Sequence, residues 1–327
     1  MKRILITGGL GMIGQEIARQ LDKSKWEIYL YDDYSNPFCA KNDPVGTNVW
    51  PGPLSSAIDF LKPDVISHQA AVVGVGESMY APFKYTRQNA LFTAELIQAI
   101  LDLNWEGRLI HASSMGIFGE QAHRADENYR QDPTSFYGLT KKFQEDAIMM
   151  LGKMRPGVWV NSLRYFSVYS STFNPENPRT GILSIIVDQI MDGGPLVLYE
   201  DGNQTRDMIH VRDVAAVHNV LANGRNPRET INVCTGRSYT MIRIAEMVCQ
   251  EFGYGKSVLF NGQHRMGDLY SSKGNNTALR AFYKEPMTPL WQGIREYRQF
   301  IEANRDKIKF GAVRRENEFI KNRGLVV

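Results

Sequence analysis

Thr7-Gly8-Gly9-Leu10-Gly11-Met12-Ile13-Gly14 decides how this chain is read. It directly follows an apolar run, Ile4-Leu5-Ile6, and leads into a segment with the periodicity of an amphipathic helix. Glycines 8, 11 and 14 between a strand and a helix permit a tight turn and let backbone approach a pyrophosphate, whose charge is stabilised at the helix N-terminus. The spacing alone is a weak signal; its place after a β pattern strengthens it. The next β pattern ends in Asp32-Asp33, roughly where an acidic residue would accept ribose hydroxyls. Turn glycines with a strand-end acid capping the next loop are the bland alternative. A carboxylate at Asp32 repels a 2′-phosphate, and no Arg or Lys stands in the glycine loop or just after Asp32. NAD is therefore expected as the cofactor rather than NADP, with a steep preference.

Outward from that loop, short apolar runs alternate with helical patterns. Arg3–Thr7, Glu27–Tyr31, Asp64–His68, Arg108–Ala112 and Val158–Tyr165 read as strands. Ile13–Asp22, Ser55–Leu61, Asn89–Leu103 and Tyr137–Leu151 read as helices. Such alternation predicts an α/β fold, a doubly wound parallel sheet of the Rossmann kind covered on both faces. After about residue 167, proline, asparagine and glycine become common, as in Phe173-Asn174-Pro175-Glu176-Asn177-Pro178. The expected division is a dinucleotide-binding domain over 1–167 and a smaller, mixed substrate-binding region over 168–327, with 206–234 packing back on the first. Arg305 to Val327 is charged and basic and reads as a solvated tail or terminal helix.

Composition narrows the classes. A chain of 327 residues with 43% hydrophobic and 22% charged residues can bury one large core or two moderate ones. A net charge of +3 is too small to suggest nucleic acid as a partner. No apolar run has the length of a membrane span, so no membrane partner is expected. The opening residues reach the glycine loop after only a short apolar stretch, so no signal peptide is expected. Three cysteines without a CxxC spacing argue against a disulfide framework and a zinc site, so no metal is expected. The cytoplasm is the expected location.

Tyr137-Gly138-Leu139-Thr140-Lys141 sets a phenol and an ammonium four residues apart, on one helix face. A free tyrosine, with a pKa of about 10, is a poor base at neutral pH. A neighbouring ammonium, together with an oxidised nicotinamide, is expected to favour the phenolate. Ser114, at the end of the preceding strand, can hydrogen-bond a substrate hydroxyl and align it for proton loss. Tyr-x-x-x-Lys is usually only a surface pair. Here Pro133-Thr134-Ser135 forms a turn-and-cap pattern that places Tyr137 in the first helical turn, near the carboxyl edge of the sheet, where ligands bind in such folds.

Taken together, Thr7–Gly14, Asp32, His68-Gln69-Ala70-Ala71, Gly76-Glu77-Ser78, Asn89, Ser113-Ser114 with Phe118-Gly119, Tyr137–Lys141, Leu163–Phe166, Gly202–Asp213 and Arg265–Asp268 resemble the extended short-chain dehydrogenase/reductases. Among these the chain is similar to the NAD-dependent sugar-nucleotide epimerase/dehydratase family, of the UDP-glucose 4-epimerase kind. The resemblance implies Ser114, Tyr137 and Lys141 as catalytic residues. It implies that Gly8, Gly11, Met12, Ile13 and Asp32 hold NAD, with Ala70, Asn89, Lys141 and Tyr165 lining it. Arg206 and Arg265 would clamp a nucleoside-diphosphate sugar, since a guanidinium fork matches phosphate oxygens two at a time. The alternative is that these arginines pair with Asp207 and Asp268 beside them. The family also implies a role in carbohydrate biosynthesis and a homodimer formed by Asn89–Leu103 and Tyr137–Leu151, each with an apolar stripe facing away from the sheet.

Departures from the family pattern narrow the chemistry. Family dehydratases carry an acid–base pair directly after the hydroxyl residue, where this chain has Met115 and Gly116, which move no proton. A 4-epimerase remains: it would oxidise the sugar C4 hydroxyl by hydride transfer to NAD and re-reduce the 4-keto intermediate on its other face. A dehydrogenase or ketoreductase, on a nucleotide sugar or a small hydroxy or amino acid, fits the same residues. Ser114–Gly119 also resembles the L-threonine dehydrogenases of the superfamily, against which Arg206 and Arg265 argue. A cofactor-sensing regulator would be expected to lose Tyr137 or Lys141. Ser167 stands where many relatives carry an asparagine that contacts the pyrophosphate. The segment Asn36–Pro53 lacks the usual adenine-contacting Gly-Asp.

Overall fold

The computed structural model describes residues 1–34, 48–50, 52–121, 123–172, 181–224 and 229–322. Six strands come from the first half: β1 (Lys2–Thr7), β2 (Trp26–Tyr31), β3 (Asn48–Val49), β4 (Val65–His68), β5 (Gly107–Ser114) and β6 (Val158–Tyr165). Later come β7 (Ser167–Tyr169), β8 (Leu196–Leu198), β9 (Thr205–His210), β10 (Thr230–Val233), β11 (Ser238–Thr240) and β12 (Val258–Phe260). The main sheet runs β10-β6-β5-β4-β1-β2-β3, and every pairing in it is parallel. Ile4, Leu5 and Ile6 are fully buried, as an unbroken apolar run must be in a sheet covered on both faces.

One face of the sheet packs against α1 (Met12–Gln20) through Ile17 and Ala18, with Leu21 just beyond it. The other packs against α2 (Leu54–Leu61). Two short turns, α3 (Val75–Ser78) and α4 (Pro82–Tyr85), lead through a π-helical stretch, Thr86–Leu91, into α5 (Phe92–Asp102). With α6 (Phe136–Met154), α5 completes the second layer through Leu96, Ile100, Ile148 and Leu151. The doubly wound α/β fold expected from the sequence is the fold observed. The predicted helix at Asn89–Leu103 is corrected. Its α-helical part begins at Phe92, because Asn89 sits inside a π turn, a distortion frequent at functional sites.

The second half contributes α7 (Ile182–Met191), α8 (Val211–Asn223), α9 (Met241–Phe252), α10 (Thr277–Phe282), α11 (Leu290–Ala303) and α12 (Ala312–Asn322). Helices α7, α9 and α11 enclose their own core, including Ile186, Ile244 and Ile294. Small sheets β11-β9-β7 and β12-β8 stand beside it. Helix α8 packs on the α1 face, and β10 pairs with β6. Within the basic C-terminal stretch, Ala312–Asn322 form α12, whose first turn is held by the fully buried Asp188: its carboxylate accepts from Gly311 N (2.8 Å), Ala312 N (3.3 Å) and Val313 N (2.9 Å). Phe173–Pro178 and most of Asn36–Pro53 lie outside the described residues.

Candidate active site

The sheet register gathers the candidate residues on one edge. Thr7 pairs with Tyr31 and with His68, His68 with His111, and Ser114 with Tyr165. The carboxyl ends of β1, β2, β4, β5 and β6 therefore finish together, where the strand order reverses.

At the end of β1, Gly8 adopts φ +66°, and a Cβ there would lie 2.8 Å from Ala70 N and Cα. A Cβ at Gly14 would lie 2.4 Å from Gly8 O. The loop is thus bare backbone at its closest approaches. Gly11 caps α1 with no side-chain hydrogen bond, and the first turn, opening with Met12 and Ile13, has no acidic residue. Its N–H groups and positive dipole end are suited to an anion. Asp32, beyond β2, accepts from Leu10 N and Tyr34 N, each at 3.0 Å, which ties the end of β2 to the glycine loop. This cradle fits a dinucleotide. Ala70 follows β4. Asn89 is fully buried and spans two elements: it accepts from Val72 N (2.8 Å) and donates to Val72 O and Thr140 Oγ1, each at 3.1 Å. Tyr165, buried at the end of β6, donates to Gln69 Oε1 at 3.2 Å.

Ser114 ends β5; its Oγ accepts from Gly116 N at 3.1 Å, and its hydroxyl acts to lower the pKa of the Tyr137 phenol. Ser135 caps α6 by accepting from Gly138 N at 3.1 Å, so Tyr137 falls in the first turn as the cap pattern predicts. Lys141, one turn on, is buried and donates to Ala112 O at 2.9 Å. Burial raises the Tyr137 phenol, partly offset by the Ser114 hydrogen bond. Burial also pushes the Lys141 ammonium down to about 7. The chain alone thus works against the lowered phenol pKa that the sequence suggests, because desolvation of the charged form outweighs the hydrogen bond. The stacked His68 and His111 (centroids 5.7 Å apart) are both held neutral by burial, with the charge of Lys141 adding to the effect.

Ser114, Tyr137, Ser167, Arg206 and Arg265 all line one cavity of about 330 Å³. Its first wall carries Ser114, Gly116 and Tyr137; the second half of the chain supplies Tyr199, Arg206, Met208 and Arg265. Arg265 is held by Asp268 through Nε (2.9 Å) and Nη2 (2.8 Å), and its guanidinium lies 5.2 Å from the Tyr199 ring centroid. Arg206 takes a different course, donating to Thr205 O at 2.9 Å. Asp207 accepts instead from Thr235 N (2.9 Å), Thr235 Oγ1 (2.6 Å) and Gly236 N (2.9 Å). Of the two carboxylate pairings weighed from the sequence, only Arg265–Asp268 forms.

Sequence reasoning named Gln69 and Thr134 only within motifs, with no role of their own, and missed Tyr199 and Glu200. Glu200 lines the cavity at φ +55° and accepts from His264 Nδ1 at 2.7 Å. The turn pattern Tyr199-Glu200-Asp201-Gly202 before the first arginine was the available signal. Among the described residues, no group of three or more His, Cys, Asp or Glu could hold a metal, and no helix is long and apolar enough to cross a membrane.

A glycine cradle at β1, an acid at β2 and a Ser-Tyr-Lys constellation across β5 and α6 define an extended short-chain dehydrogenase/reductase. The family described as the NAD-dependent epimerase/dehydratase family matches residues 4–234, and the chain belongs to it. NAD is the cofactor of that family. A putative UDP-glucose 4-epimerase from Methanocaldococcus jannaschii is 27% identical over 92% of this chain and 99% of its own length. The solved UDP-glucose 4-epimerase of Thermus thermophilus, in complex with NAD, is 27% identical, covers 92% of this chain and 99% of its own, and superposes with a TM-score of 0.82. A UDP-N-acetylglucosamine 4-epimerase from Methanobrevibacter ruminantium shares the fold, with a TM-score of 0.83 at 24% identity over 93% of this chain and 99% of its own.

Proposed function

We propose that the protein is an NAD-dependent nucleotide-sugar 4-epimerase. The carrying observation is that Ser114 and Tyr137 line one cavity together with Arg206 and Arg265. The Tyr137 oxygen takes the proton of the sugar C4 hydroxyl while Ser114 holds that oxygen in line. Lys141, fixed by Ala112 O, supports the phenolate once the site is filled. When bound, NAD supplies the hydride acceptor and donor at C4. The 4-keto sugar then turns within the cavity, and Tyr137 returns the proton to the same oxygen. Arg206 and Arg265 hold the diphosphate throughout, which keeps the intermediate from escaping. Met115 and Gly116 offer no carboxylate for eliminating water. Gly8, Gly11, Met12, Ile13 and Asp32 hold the dinucleotide, and Ala70, Asn89 and Tyr165 shape its nicotinamide end. Ser167 serves the substrate side of the cavity. These roles divide the chain at about residue 167.

We also propose a homodimer through α6 and its neighbours. Phe136, Leu139, Phe143, Met150 and Met154 are exposed at helical spacing on one face of α6, beside exposed Phe83 and Leu91. A contiguous apolar face of this kind marks an interaction surface.

The test is the fate of the cofactor. With UDP-glucose, UDP-galactose or their N-acetylated counterparts, the enzyme should form both C4 epimers without net NADH. Accumulation of NADH in proportion to substrate would establish a dehydrogenase instead. Tyr137→Phe should lower turnover by about 10²- to 10⁴-fold and leave NAD bound.

A further inference from the structure

We propose that the Arg265–Asp268 turn couples diphosphate binding to the setting of the catalytic helix, with Thr134 and Gly267 as positioning residues. The inference rests on the proposed function, since it assigns that clamp a second role. Thr134, immediately before the cap of α6, donates from Oγ1 to Gly267 O at 3.1 Å, across 133 residues of sequence. Gly267 adopts φ +82°, a left-handed conformation that L side chains rarely take. A Cβ at that position would lie 3.1 Å from Ser135 Cβ, 3.1 Å from Met79 Sδ and 3.3 Å from Val75 Cγ1. The turn is therefore seated on the residue that caps α6.

Ser135 receives Gly138 N at 3.1 Å and so fixes the first turn, in which Tyr137 stands. At its other side the turn is closed by Asp268 N donating to Arg265 O (3.1 Å), with the Arg265 guanidinium forked on Asp268. A guanidinium that shifts to grip a diphosphate moves this turn, and the turn presses on the cap. Binding energy gained far from the reacting carbon is thereby used to align the phenol, which raises turnover more than affinity.

The experiment uses full-length wild type, Thr134→Val, Thr134→Ser and Gly267→Ala, with UDP as the binding probe and UDP-glucose as substrate. Thr134→Val should lower kcat about fivefold while UDP affinity stays within about twofold, and Thr134→Ser should restore kcat. Gly267→Ala should show the same split, with the larger loss. In wild type, UDP should slow amide exchange over 136–141; in Thr134→Val it should bind without doing so. Unchanged kcat in both variants, or UDP affinity falling in step with kcat, overturns the coupling. Wild type that epimerises UDP-glucose but shows no UDP effect on α6 exchange overturns it too, while the proposed function stands. Wild type that releases NADH in place of epimer overturns both.

Discussion

A Cβ added at Gly138 would lie 2.5 Å from the carbonyl oxygen of Gly116 and 3.0 Å from Pro133 Cβ. The first turn of α6 thus rests backbone on backbone against the turn Met115–Ile117 that follows Ser114, and this contact brings the phenol of residue 137 to the serine. Gly138→Ala must displace one of them. A misplacement of about 1 Å can cost about 10²-fold in rate, so kcat should fall by at least about tenfold. NAD titration should show affinity nearly unchanged, because the glycine loop lies elsewhere. Wild-type kcat in this variant would refute the role given to the contact.

Lys141 makes stability depend on pH. Its ammonium falls from 10.5 to about 7 on burial. Between those values the unfolded chain binds more protons than the native one, so this group's contribution rises with pH. Below about 7 it is charged in both states, and the full cost of burial, of order a few kcal/mol, applies. Lys141→Met removes that cost. Its Tm relative to wild type, measured at matched NAD content, should be more favourable at about pH 6 than at about pH 9. A difference that is flat, or that grows with pH, contradicts the buried-ammonium account.

Arg265→Ala removes a planar donor that lies between Asp268 and Tyr199. Charge-assisted hydrogen bonds contribute about 1.5–3 kcal/mol each, so UDP binding should weaken about 10- to 100-fold by calorimetry. Unaltered UDP affinity would remove this residue from the clamp.

Asp188 has zero exposure and serves three backbone donors at the start of α12. Asp188→Ala leaves them buried without an acceptor, at about 3 kcal/mol, or a Tm lower by about 5–10 °C. Amide exchange should accelerate across 311–322 before it changes in the main sheet. An unchanged Tm would show that α12 is held by other contacts.

The exposed face of α6 gives the fifth prediction. Leu139→Glu combined with Phe143→Glu places two charges on that apolar stripe, where both native residues are exposed. Light scattering should then report half the wild-type mass. Monomeric wild type would dispose of the dimer.

Much of the site was legible because its signals are local. The cap at Ser135 and the placement of Tyr137 followed from Pro133-Thr134-Ser135, since a cap needs only an oxygen acceptor three residues ahead of a free N–H. The helix at Asn89 was read as regular because apolar periodicity does not register the extra residue of a π turn. Arg206 and Arg265 looked alike in sequence, each near an acid, yet only one ion pair forms. Asp207 is fully buried and taken by Thr235 and Gly236, some 28 residues away, where backbone donors must be satisfied first.

By itself the sequence determined the parallel sheet, the glycine cradle and the Tyr-x-x-x-Lys face, because strand and helix periods and tight-turn requirements are set within about ten residues. Tertiary structure alone decided that β10 joins the main sheet, that Asp188 seats α12, and that Gly267 rests on the cap of α6. Each of these joins residues distant in sequence. Their pairing, and the pKa values of the groups they bury, depend on which surfaces exclude water from one another, a property no local window contains.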